Sequence, residues 1–185
     1  MDLTGGLEHK FARFGDGLAV TDDAEIAGYA SLFGQPDQGG DIVEKGAYAR
    51  SIKALGQDGR KVKMLWQHDP AQPIGVWDEV REDARGLWVK GRLLESTQKG
   101  REAVALIGAG AIDGLSIGYR AVRAVKNDKG QRLLQELELW EVSLVTFPML
   151  PSARVAAKGD DPEAEDTLRE LAAVLRGAQL ELARR

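Results

Sequence analysis

Ser116 sits between two glycines in the run Asp113-Gly-Leu-Ser-Ile-Gly-Tyr119, and by type and setting it is the candidate nucleophile of this chain. Gly114 and Gly118 can take positive φ or admit another backbone at close range, so a small loop around the serine would keep its hydroxyl reachable. A serine hydroxyl is a poor nucleophile at neutral pH and needs a base, usually a histidine, whose pKa lies near the working pH. The chain has two histidines. His9 falls in a glycine-containing N-terminal stretch. His68 ends an alternating run, 61–68, in which Val62, Met64, Trp66 and His68 share one face and Lys63 and Gln67 the other. His68 is therefore the candidate base. A third group should orient it, which calls for a buried carboxylate. Glu141 shares a face with Leu139, Ser143 and Val145 in the apolar run 137–145, where an unpaired carboxylate would be costly unless it faced water on an edge strand. Asp69 and Glu138 are alternatives, although Asp69 also suits the turn before Pro70. Ser143 is a rival nucleophile, in mid-strand without flexible flanks.

Other chemistries fit less well. Gly114-Leu-Ser-Ile-Gly118 has the letters of the α/β-hydrolase elbow, but that elbow is entered from a strand, left by a helix and followed later by its histidine. Here a helical pattern precedes the serine, a strand pattern follows, and no histidine comes after it. Scattered carboxylates with one well-placed histidine show no metal-ligand spacing, and the chain has no cysteine. Gly39-Gly40 is followed by Asp41, which would repel a phosphate. No cofactor is implied.

The elements that must carry these residues are legible in the periodicity. A strand-like run from Glu25 ends at Gly34 and Pro36, and a polar loop and a short helical pattern follow. Asp69-Pro70 should stop the strand that ends at His68, because proline cannot donate to a ladder. Runs 74–80 and 87–94 flank the charged turn REDARG and read as an antiparallel hairpin. Ala103, Leu106, Ile107 and Ala111 mark one face of a helix between 97 and 112. After the serine, a strand leads through the turn Asn127-Asp-Lys-Gly130 into a long run, 133–146, closed by Pro148 and Pro151.

At 185 residues, 43% of them hydrophobic and 29% charged, the chain suits one globular core with an extension. Three segments are expected: a flexible leader, 1–17; a domain, 18–157; and a linker with an amphipathic helical tail, 158–185. In the tail Thr167 and Glu170 are spaced as a capping box, and Leu168, Leu171, Leu175, Ala178 and Leu182 form a heptad-like stripe. A net charge of -4 without a basic stripe argues against nucleic acid as a partner. No apolar run is long enough to span a membrane and no signal-peptide layout opens the chain, which points to the cytoplasm.

With Ser116, His68 and Glu141 in view, the chain resembles the prohead protease family of tailed bacteriophages, capsid-maturation serine proteases related to herpesvirus assemblin. Four blocks carry the likeness in order: GYASLFGQPDQGGDIVEKGAYARSI, MLWQHDPAQPIGVW, IDGLSIGYR and LWEVSLVTFP. The resemblance implies Ser116 as nucleophile, His68 as base and then acid, and Glu141 as the orienting carboxylate. It implies an α+β fold, a mainly antiparallel β-barrel surrounded by a few helices. It also implies a major capsid protein or scaffold as substrate, self-processing near the leader or 158–166, a homodimer, and work inside the procapsid in the bacterial host cytoplasm. The segment Pro148-Met-Leu-Pro-Ser-Ala-Arg154 departs from the family's small and polar pattern where oxyanion donors are expected. The sequence leaves two rival readings: an inactive scaffold component docked through its tail, and a stand-alone bacterial esterase or peptidase.

Overall fold

The computed structural model describes residues 24–147 in full and the backbone of residues 8–12. The expected tail helix and the segment 148–154 lie outside the described residues. In chain order the elements are β1 (Glu8–Ala12), β2 (Glu25–Leu32), β3 (Asp41–Val43), α1 (Ala49–Gln57), β4 (Lys63–Trp66), β5 (Asp69–Glu82), β6 (Gly86–Leu93), α2 (Gln98–Gly108), β7 (Gly114–Lys126) and β8 (Arg132–Val145). The strands form one eight-stranded sheet in the order β1-β7-β8-β4-β5-β6-β2, with β3 also paired to β8. The sheet curls until β2, at one end, packs against β7 and β1 at the other. The expected barrel is thus a curled sheet whose hydrogen-bonded path is open. It is mostly antiparallel, but β3 and β4 both pair with β8 in parallel.

β8 is the spine of the sheet. Along one edge it pairs with β7 over nearly its whole length; along the other it meets β3 near Arg132 and β4 from Glu141 to Leu144. Between those two partners the edge is completed by the chain around α1: Leu137 N–H donates to the Ala47 carbonyl, and Leu139 N–H to Ser51 Oγ at 2.9 Å. The Asn127 turn joins β7 to β8 as its composition predicts, the Asn127 side chain accepting from the N–H groups of Lys129 and Gln131.

The core lies within the curl. Leu115, Ile117 and Tyr119 of β7 and Val142 and Leu144 of β8 are buried together with Ile26, Met64, Ile74, Trp77 and Val89. Trp77 Nε1–H donates to the Val142 carbonyl at 3.1 Å, which satisfies its one polar atom inside that core.

α2 delivers the chain to β7. Thr97 caps its start by accepting from Gly100 N–H at 3.0 Å. Its end is a Schellman motif: Gly110 adopts φ 68°, Gly110 N–H bonds the Ile107 carbonyl, and Ala111 N–H bonds the Leu106 carbonyl. The helix therefore stops a few residues short of Gly114, and the chain turns straight into the strand that carries Ser116.

Candidate active site

Ser116 is not in a loop. It is the third residue of β7, in extended backbone, and is fully buried. Neither Gly114 nor Gly118 is among the residues with positive φ. The use of Gly118 is spatial. It lies directly opposite Glu141 in the β7–β8 ladder, and a Cβ on it would fall 2.1 Å from Glu141 Oε1 and under 3 Å from its Cδ and Cγ. The glycine makes the space that the glutamate side chain fills.

Ser116 is opposite Ser143 in the same ladder, so Ser116, Gly118, Glu141 and Ser143 share one face of the hairpin. Simple alternation also puts Leu139 on that face, and here the structure differs. Trp140 is an extra residue between the pairs Gly118↔Glu141 and Tyr119↔Leu139. This bulge switches faces, placing Leu139 with Tyr119 and Glu141 with Ser116. Trp140 itself is half-exposed.

His68 reaches the same face by a second irregularity. β4 pairs Lys63 with Glu141 and Leu65 with Ser143, so continued alternation would turn His68 away from the carboxylate. Instead Gln67 and His68 have φ 50° and 62°, and Trp66 pairs with Asp69 across them. Positive φ at both central residues is the signature of a two-residue type I′ hairpin. Asp69-Pro70 therefore does not stop a strand; both residues open β5. The hairpin is tied to the end of β8, where Gln67 N–H donates to the Leu144 carbonyl at 2.9 Å and Gln67 Nε2 donates to Thr146 Oγ1 at 2.8 Å.

At the tip of that hairpin His68 Nδ1 lies 2.5 Å from Glu141 Oε1. The other carboxylate oxygen accepts from Ser143 Oγ–H at 2.5 Å. Glu141 is 3% exposed, a burial it can sustain because both oxygens are engaged. With its proton on Nδ1, the imidazole donates to the carboxylate and leaves Nε2 as the basic nitrogen. The arrangement can take up a proton at Nε2 and hold the resulting imidazolium beside a fixed negative charge.

The other sequence candidates are committed elsewhere. The Asp69 carboxylate accepts from Gln72 Nε2 and Ala71 N–H, which hold its pKa below the ordinary value. Glu138 pairs with the exposed Arg120 guanidinium. Ser143 is the donor to Glu141, so its hydroxyl hydrogen is already in use. Gln67, Gly118 and Thr146 were not singled out from sequence as supports of the site. Only Gly118 carried a signal, as a flank of the serine, and that signal suggested a different role. A cavity of about 460 Å³ lies away from this centre, between α1 and the β7–β8 hairpin, and is lined by Arg50, Arg60, Lys61, Arg120 and Trp140 among others. It includes none of Ser116, His68 and Glu141.

Comparison with known proteins gives a consistent set of likenesses. The profile of the caudovirus prohead serine protease family matches residues 16–167. The prohead protease of Enterobacteria phage HK97 is 34% identical over 136 residues, which cover 70% of this chain and 58% of that protein. A capsid polyprotein of Pseudomonas phage PAJU2 is 32% identical over 141 residues, covering 71% of this chain and 20% of the polyprotein. The bacteriophage T4 capsid assembly protease superposes with a TM-score of 0.60 at 17% identity, over 77% of this chain and 98% of that one, a likeness of fold.

Proposed function

This chain belongs to the caudovirus prohead serine protease family, and from that premise we propose that it is a serine endopeptidase of phage head maturation. The observation that carries the reading is the 2.5 Å contact between His68 Nδ1 and the buried Glu141 carboxylate, on the face of the hairpin that bears Ser116.

In the mechanism, His68 Nε2 removes the Ser116 hydroxyl proton as Oγ attacks the scissile carbonyl carbon. Glu141 keeps the imidazole in the Nδ1–H tautomer and stabilises the imidazolium. Collapse of the tetrahedral intermediate breaks the C–N bond, and His68 returns the proton to the leaving amine. The resulting ester on Ser116 is hydrolysed by water, with His68 again acting as base. Segment 148–154 is the proposed source of the N–H groups that bind the oxyanion.

The substrate is a capsid protein or scaffold segment inside the procapsid in the host cytoplasm, with the chain's own leader and residues 158–166 as further targets and a homodimer as the working form. The names of the relatives, a prohead protease and a capsid polyprotein, support this setting. The fold shared with the T4 capsid assembly protease supports the curled sheet as the framework of the site.

Incubation with the cognate capsid protein tests the assignment. Shortening of that protein should be followed by gel and mass spectrometry, and Ser116→Ala or His68→Ala should each lower its rate by about a thousandfold or more. Cleavage that persists near the unaltered rate in both variants would refute it.

A further inference from the structure

A nucleophile has to meet its substrate, yet Ser116 is fully buried. Burial along β7 is uneven. Residues 114–119 are all buried, and from Arg120 onward the strand is largely exposed. One edge of β7 is taken by β8 throughout. Among the described residues the other edge is taken by β1 alone, and only from Leu115 to Tyr119, with Phe11 opposite Ser116. The buried stretch of β7 and the stretch covered by β1 therefore coincide around the nucleophile.

An extended polypeptide binds most directly by adding itself to a strand edge, where main-chain hydrogen bonds hold it irrespective of its sequence. Beside Ser116 the β8 edge is unavailable, because it carries Glu141 and Ser143. The edge over residues 115–119 is the one where an added strand would run past the serine, and five residues of this chain already lie there, antiparallel and in register. Among the described residues β1 is the end strand of the sheet and has a single hydrogen-bonded partner. Short end strands open at a lower free energy than the rest of a fold.

We propose that the β7 edge over residues 115–119 is the docking site for the extended segment of a protein substrate, and that residues 8–12 fill it in the free chain as a displaceable internal strand. This rests on the reading of Ser116 as the nucleophile. The occupant is peptide-like because it is peptide, and a substrate must compete with it. Whatever frees the N-terminal segment, whether cleavage within it or its capture by another molecule, thereby opens the enzyme.

The test uses the full-length chain and the doubly substituted chain Lys10→Pro, Phe11→Pro. Ladder N–H groups alternate in direction along a strand, so prolines at two consecutive positions remove one that points at β7 whichever the parity. Labelling by a fluorophosphonate probe reads access to Ser116. The variant should label about tenfold faster than the unaltered chain, the change expected when a site is freed from a largely occupied state. A synthetic peptide of residues 5–16 added in trans should slow it again, and Ser116→Ala should not label. Equal labelling rates in two folded proteins would overturn the proposal.

If neither protein labels, the reading of Ser116 as nucleophile fails, and amide hydrogen exchange still decides the strand. Protection within residues 115–119 must drop in the variant, and unchanged protection overturns the docking edge. If the variant does not fold, the unaltered chain decides. Amides within residues 8–12 must be protected and must lose that protection at lower denaturant than the β7–β8 pairs; no protection there overturns the proposal.

Discussion

Gly118 and Glu141 form a pair in which each residue type explains the other. The glutamate carboxylate occupies the volume where any other residue's Cβ would sit, with Oε1 only 2.1 Å from that point. Gly118→Ala should push the carboxylate off His68 Nδ1 and lower the cleavage rate by about a hundredfold, the scale of a misplacement near 1 Å at a reacting centre. Adding Glu141→Asp shortens the side chain by one methylene and should return part of that loss, although Glu141→Asp alone should impair the enzyme. Cleavage kinetics of the three proteins, with melting curves as a folding control, would settle it; full activity in Gly118→Ala excludes the pairing. The glycine is visible in the sequence, but its purpose is not. Its neighbour across the ladder lies 23 positions away, and nothing local to Gly118 announces a carboxylate.

Two hairpins show how an element sets the site. The 67–68 turn keeps two non-glycine residues in the left-handed region, a conformation that persists only where surroundings enforce it. Gln67 supplies that enforcement through Thr146. Gln67→Ala should cost about 1 kcal/mol of stability, the usual net worth of a hydrogen bond. It should also lower kcat with little change in KM, measured on a peptide substrate, because the tip bearing His68 loses its tether. The β5–β6 turn is organised instead by Asp83, whose carboxylate accepts from Arg85 N–H, Gly86 N–H, Tyr29 Oη–H and Arg81 Nη1–H. Partial burial pushes its pKa upward, but these donors outweigh it and hold the group below its ordinary 3.8. A depressed carboxylate stabilises the fold above its unfolded pKa, and the benefit is lost as pH falls through the folded value. Asp83→Asn should therefore cost about 1–2 kcal/mol in urea unfolding at pH 7, and the gap from the unaltered chain should narrow below about pH 4. A constant gap would deny the charge its role. The REDARG hairpin was readable from composition, whereas the tight turn at Gln67-His68 was not, since Gln-His is not among the Asn-Gly, Asp-Gly or Gly-Gly pairs that mark a type I′ turn.

At the scale of the molecule, the curl of the sheet brings β2 onto β7 and β1, and it places the site on strands that the whole curled sheet braces. The proposed boundary near residue 157 follows from the change of composition beyond it. A chain ending there should melt within a few degrees of the full-length protein and retain cleavage of capsid protein in solution, while losing incorporation into particles if the tail is the docking element. Loss of cleavage would instead put the tail in the catalytic unit. The N-terminal stretch shows the opposite limit of composition: residues 8–12 lie within the expected leader, yet they form a strand, because β7 provides a partner that their own sequence does not reveal.

The candidate residues were legible from residue types alone: one serine between glycines, one histidine at the end of an alternating run, and one carboxylate in an apolar strand. So were most helices and strands, because periodicity is a local property. Only the tertiary structure decided that His68 and Glu141, 73 positions apart, meet on the face of Ser116. Alternation by itself sends His68 to the wrong face and groups Glu141 with Leu139. A bulge at Trp140 and a left-handed turn at residues 67–68 undo both errors. Each of these irregularities shifts side-chain direction by one position; the turn is tied to Leu144 and Thr146, and the bulge shows only in the pairing of β8 with β7, so both involve residues distant in sequence. That is why no local pattern could record them.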